Sequence, residues 1–185
     1  MVDLVDLWLP ILLSAVLVFC ASALLHMVLP FHRSDYGKVP SEDAVSDALR
    51  PFGIPPGDYL LPCPHTPAGA RAPDFAAKMK KGPVILMTVM QPGEMRMGGR
   101  LATWFVFCLV VGVFSAYLTS RALPAGAPYL EAFRFAGTVA FVSYAVALWE
   151  NTIWYSRAWT TTLKSTIDGL VYGLLTGGVF GWLWP

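Results

Sequence analysis

The chain has 185 residues, of which 56% are hydrophobic and only 14% charged, with a formal net charge of +1. A soluble domain carries about 25% charged residues, so the composition argues against an ordinary soluble globule. The near-neutral balance offers no basic footprint for nucleic acid, and none is expected as a partner. Three cysteines, Cys20, Cys63 and Cys108, are too few and too scattered for a disulfide framework.

Four apolar blocks are long enough to cross a bilayer, which takes roughly 20 residues as a helix. They are Leu7–Leu29, Leu101–Leu123, Phe133–Trp154 and Thr166–Trp184. The first is read as a retained membrane helix and not a secretory signal. It is preceded by Asp3 and Asp6 with no Lys or Arg, whereas a signal opens with positive charge. The chain therefore divides into an N-terminal segment and first helix (residues 1–29), a polar insert (30–100) and three further helices (101–185). The expected fold is an all-α membrane protein of four transmembrane helices with a small α+β insert between the first two.

The insert reads as helix, strand, helix, strand. Ser41 stands where it can cap a helix whose first turn holds Glu42 and Asp43, where carboxylates suit the helix dipole. Pro51 and Gly53 end that helix. Asp58–Leu61 reads as a short strand stopped by Pro62, and Thr66–Ala72 as a loop. Asp74–Lys80 reads as a second helix with Gly82 as its stop, and Val84–Met90 as the stronger strand. Some 70 residues with two short strands make a marginal core. The insert is therefore expected to lean on the membrane surface or on a partner.

Charge predicts orientation. Nine of the thirteen basic residues lie between the first two helices: Arg33, Lys38, Arg50, Arg71, Lys78, Lys80, Lys81, Arg96 and Arg100. Basic residues stay on the cytoplasmic side of a membrane, so the insert is placed inside and both termini in the periplasm. Arg121 and Arg134 run against this assignment. Trp8, Trp182 and Trp184 then fall at the outer interface and Trp104, Trp154 and Trp159 near the inner one, as aromatic belts do.

Within the last helix Gly169, Gly173, Gly177 and Gly181 recur every four residues. Small residues at this spacing let two helix backbones approach closely in lipid, so the series is read as a helix-packing seam. Its partner is left open between another copy of the chain and Gly112 and Ala116 of the second helix. Glu150 and Asp168 lie at segment margins, with Arg157 and Lys164 near them. All four are read as a polar cluster at the inner interface, with Lys164 and Asp168 spaced to pair along one helix.

Chemistry-bearing motifs are sparse. There is no GxSxG, HExxH or P-loop pattern. Cys63-Pro64-His65 lacks a second Cys–His pair, so no metal is expected there. His26 is the one histidine inside a membrane segment, which leaves haem without a second axial ligand. No catalytic residue, cofactor or metal is assigned.

The stretches His32-Arg33-Ser34-Asp35-Tyr36, Pro40-Ser41-Glu42-Asp43-Ala44-Val45 and Ile167-Asp168-Gly169-Leu170, with the terminal Phe180-Gly181-Trp182-Leu183-Trp184-Pro185, resemble a group of small bacterial inner-membrane proteins. The resemblance implies a multi-pass protein of the bacterial inner membrane and carries no activity. The leading expectation is a structural or interaction subunit of a membrane complex, with the bilayer and a membrane protein or a second copy as partners. The alternatives are a small transporter or its accessory subunit, and a membrane enzyme. An enzyme would require clustered polar groups at the inner face, for which His26, His32, Asp35, Glu150 and Asp168 are the candidates.

Overall fold

The structure is a computed structural model that describes residues 2–93 and 97–185. It is mostly helical, 71%, with one small two-stranded sheet. Two compact units divide the chain: a helical unit of Met1–Gly37 with Arg96–Pro185, and an insert of Lys38–Met95. The insert is narrower than the 30–100 read from the sequence, because residues 30–37 pack with the helices.

In the helical unit, α1 (Trp8–Ala23) is entered through a 3-10 turn, Leu4–Leu7, and leaves through a π-helical turn, Leu24–Val28. The other elements are α5 (Met97–Ala122), α6 (Tyr129–Ala145), α7 (Trp149–Tyr155) and α8 (Trp159–Trp182), with a 3-10 turn at Val146–Leu148 between α6 and α7. Among the described residues, three helical segments are long and apolar enough to cross a membrane: Leu4–Val28, Met97–Ala122 and Tyr129–Tyr155. They mark the chain as a multi-pass membrane protein. The fourth apolar block lies on α8, whose first half also carries Thr160, Thr161, Thr162, Lys164, Ser165, Thr166 and Asp168.

The four long helices pack as a ring, with α1 against α5, α5 against α6, α6 against α8 and α8 back against α1. The α6–α8 pair is the most extensive. There Gly169, Gly173, Gly177 and Gly181 of α8 all face α6. A Cβ on Gly177 would lie 2.6 Å from the Phe133 carbonyl oxygen, and one on Gly173 2.9 Å from that of Gly137. The opposing α6 surface is itself small, with Ala132, Ala136, Ala140 and Ala145 fully buried. Backbone contact at this range maximises dispersion where lipid offers no hydrophobic drive between helices. Gly112 of α5 instead lies against Ile11 of α1.

The interior holds many hydroxyls, including Ser14, Ser115, Thr119, Thr162 and Thr176. Several return a hydrogen bond to their own helix, such as Thr119 Oγ1 to the Ser115 carbonyl at 2.7 Å. Large apolar side chains such as Val106, Val110, Phe114 and Leu174 point outward, as they do against lipid. At one end of the unit Gly126 N–H donates to the Pro185 carbonyl at 2.6 Å, and Trp184 Nε1 to that of Pro124 at 2.9 Å. Val2 and Leu7 pack there with Phe180. Both chain ends and the α5–α6 turn thus share one end of the bundle.

The insert contains α2 (Glu42–Leu49), β1 (Gly57–Leu61), α3 (Pro67–Ala70), α4 (Pro73–Lys81) and β2 (Ile85–Val89). β1 and β2 pair antiparallel, with Tyr59 opposite Met87 and Leu61 opposite Ile85. Two local expectations are corrected. Ser41 adopts a left-handed conformation (φ 52) and its side chain caps nothing, so Glu42 and Asp43 alone answer the α2 N-terminus. The expected loop Thr66–Ala72 contains α3, because Thr66 Oγ1 accepts from Gly69 N at 3.0 Å and Pro67 fits the first helical position. Among the described residues from Lys38 to Gly93, none is buried.

Candidate functional site

At the end of α1 the backbone widens into the π turn, where Leu29 N–H reaches back to the Leu24 carbonyl at 3.0 Å. Such turns re-aim side chains and recur at functional sites. His26 lies within this one. Leu29 is extended, and Pro30 then opens a 3-10 turn, Pro30–His32, that suits its fixed φ. Asp35 N–H closes a further turn onto the His32 carbonyl at 3.1 Å. These two reversals bring His32 back over His26, with ring centroids 4.0 Å apart and planes 20° from parallel.

Across from them stands Asp168 of α8, whose side chain is only 5% exposed. Its Oδ2 lies 2.9 Å from His32 Nε2 and 3.5 Å from His26 Nε2. Both His32 Nε2 and Asp168 Oδ1 are buried without a hydrogen-bond partner. His32 Nδ1 is 2.7 Å from Asp35 Oδ2. An ionised carboxylate only accepts, so the proton is assigned to Nδ1. The other Asp35 oxygen accepts from Lys164 Nζ at 2.9 Å, and Lys164 also donates to Ser34 Oγ at 2.8 Å. Burial pushes the Asp35 carboxyl up. The hydrogen bonds from Lys164 and His32 outweigh this and hold it below the usual carboxylate range.

One helical turn further along α8, Tyr172 is buried with its hydroxyl unpartnered. Its ring packs edge-on against Tyr144, at 5.2 Å, and near Trp104. Trp104 Nε1 donates to Ser22 Oγ at 2.7 Å. Aromatic packing closes this side of the cluster, while His26, 48% exposed, is its open side. The α7–α8 corner is pinned separately by Trp149 Nε1 to Thr166 Oγ1 at 3.1 Å and by the Thr152–Thr162 hydroxyl pair.

Of the four residues read as an inner-interface cluster, two stand in the site, in different pairings from those the sequence suggested. Lys164 is held by Asp35 and Ser34, and Asp168 faces the two histidines. Glu150 and Arg157 are exposed and, among the described residues, form no ion pair. Of the five candidates for an inner-face polar site, His26, His32, Asp35 and Asp168 meet and Glu150 does not. Cys63 Sγ and His65 Nδ1 are 3.8 Å apart in the insert, with no third ligand beside them among the described residues.

Chemically, the site is two imidazoles and a carboxylate whose donor atoms lie within 4.8 Å of one another. A second carboxylate and an ammonium back it. It can hold a proton shared between carboxylates, or a cation. Compared with known proteins, the chain matches no protein-family model, no curated protein and no solved structure.

Proposed function

We propose that the chain is a subunit of a membrane complex, with α8 as a fourth crossing and the Lys38–Met95 insert serving as its docking element on the cytoplasmic side. The observation that carries this reading is the coreless insert. Its described residues bury no side chain, and Tyr59, Leu61, Ile85, Met87 and Val89 share one face of a sheet with only two strands. A sheet of that size is marginal alone, and both its edges offer unpaired backbone groups to another strand. Leu86 and Phe52, 53% and 75% exposed, add apolar surface. A protein partner that extends the sheet satisfies both needs.

Two facts support a fourth crossing. The 24 residues of α8 span about 36 Å, enough for the hydrocarbon core. Its polar residues gather toward its N-terminal half, which leaves residues 169–182 mostly apolar. An even number of crossings fits two chain ends at one end of the bundle. The basic residues of the insert, kept on the cytoplasmic side by the positive-inside rule, support a periplasmic assignment for that end in a bacterial inner membrane. In this reading the His32–Asp35–Lys164 ties fix the last residues of the helical unit before the insert begins.

The test is purification in mild detergent, comparing the full chain with a variant whose residues 38–95 are replaced by a short Gly/Ser linker. The full chain should elute with a stoichiometric second protein that the variant lacks. A monodisperse monomer in both cases refutes the docking role. The buried Asp168 favours a second reading, in which the chain handles a cation as a small transporter or membrane enzyme.

A further inference from the structure

We propose that His26, His32 and Asp168 form a binding site for a borderline divalent transition-metal ion, of which Zn2+ is the representative. This inference does not rest on the docking role of the insert.

The donor set comes first. Two imidazole nitrogens and one carboxylate oxygen are the ligand types of three-residue zinc sites that keep a fourth position open. The same set suits other first-row divalent ions, while Mg2+ and Ca2+ require mainly oxygen. Spacing comes second. Ligands bound tetrahedrally at the usual zinc distances sit about 3.3 Å apart. Asp168 Oδ2 lies 2.9 Å from His32 Nε2 and 3.5 Å from His26 Nε2, and all three donor atoms lie within 4.8 Å of one another, so His32 and Asp168 are already spaced as ligands and a turn of His26 completes the set.

The third argument is the unmet polar need. His32 Nε2 and Asp168 Oδ1 are both buried and unpartnered, in side chains 9% and 5% exposed. Buried polar groups without partners are rare because each forfeits its hydration. A metal ion bound between His32 Nε2 and the Asp168 carboxylate would give both buried groups a partner.

The surrounding shell fits as well. A metal-bound histidine commonly donates its other ring N–H to a carboxylate, which fixes its tautomer and orientation. His32 Nδ1 does this toward Asp35, and Asp35 is held in turn by Lys164 and Ser34. The rings of His26 and His32 are stacked with centroids 4.0 Å apart, and both Nε2 atoms approach Asp168 Oδ2. Binding requires His26 to turn, and its half-exposed side chain on the π turn leaves room for that. The same exposed side is the entry path and the open coordination position.

The experiment uses the full chain in detergent, stripped with chelator, and titrated with Co2+ and then Zn2+. One equivalent of Co2+ should give the intense visible bands of a low-coordinate site, and Zn2+ should displace it. His26→Ala removes a ligand on the open side, so the fold should persist while Co2+ affinity falls at least tenfold. Asp35→Asn should weaken binding by about 10- to 100-fold, the range for supporting residues. Cys63→Ala should change nothing. The proposal is overturned if the stripped parent binds no ion. It is equally overturned if His26→Ala, with unchanged circular dichroism and elution, binds as tightly as the parent. Loss of the signal in Cys63→Ala overturns it too, by moving the site to the insert.

Discussion

A single added methyl decides the α6–α8 seam. At Gly177 the new atom meets the Phe133 carbonyl and the Gly137 Cα, and at Gly173 it meets backbone and Phe141. Backbone cannot rotate away, so Gly177→Leu or Gly173→Leu should cost about 1–3 kcal/mol, the usual range for overpacking, and more if the helices separate. Gly178 is the internal control. A Cβ there approaches nothing closer than the Tyr129 hydroxyl at 3.9 Å. Gly178→Ala should therefore match the parent in a thermal aggregation assay, and equal stability of all three variants would contradict the seam. A second residue-scale prediction concerns Lys164. Its side chain is 17% exposed and joins Asp35 and Ser34. Lys164→Met keeps the stem and removes the ammonium, and should cost about 1.5–3 kcal/mol, as for a hydrogen bond to a charged group. Restoration of stability by Asp35→Asn in the same chain would show the two acting as a pair, and an unaltered melting temperature in Lys164→Met would deny the tie.

At the scale of elements, the apolar blocks were readable because hydropathy over some 20 residues integrates many weak preferences. Helix ends were less so. The third block begins at Tyr129, four residues before the sequence reading, and breaks at Val146–Leu148, where no Pro or Gly signals a change. In the insert, Gly and Pro punctuation located α2, α4 and both strands, while the capping of α3 by Thr66 was lost in a Pro/Gly/Ala run. The cluster was only partly legible. Asp168 stood out as a carboxylate in an apolar block, and its i to i+4 spacing from Lys164 suggested a partner. The fold overrides that spacing, because the Pro30 turn brings Asp35 to Lys164 and His32 to Asp168 from more than 120 residues away. No local pattern encodes such a meeting, and the π turn that aims His26 has no sequence signature. At this scale the insert should open easily. With no buried side chain between Lys38 and Gly93 it lacks the cooperative core that resists proteolysis. Limited trypsin treatment of the purified chain should cut first at Lys78, Lys80 or Lys81 and leave the helical unit intact. First cleavage elsewhere, with the insert preserved, would mean that it is stable alone.

The whole molecule divides into a helical unit with a buried interior and an insert whose described residues bury no side chain. The helical unit is built from small residues, internal hydroxyl bonds and one buried ionic cluster. Its two chain ends meet at one end, through Val2, Phe180 and the Trp184 bond to Pro124. If α8 crosses the membrane, a reporter fused after Pro185 should signal the periplasm, and a reporter within residues 66–72 should signal the cytoplasm. Opposite signals would reverse the orientation, and signals from the same side would remove the fourth crossing. The account as a whole turns on the insert being completed by another protein. The most direct measurement is photo-crosslinking in living cells, with a photoreactive residue at Leu86 on the sheet and, as a lipid-facing control, at Phe114 of α5, 58% exposed. The account predicts one discrete protein adduct from Leu86, formed at the protein's natural abundance, and none of that mass from Phe114. Lipid adducts alone from both positions, with the chain correctly folded, would contradict it.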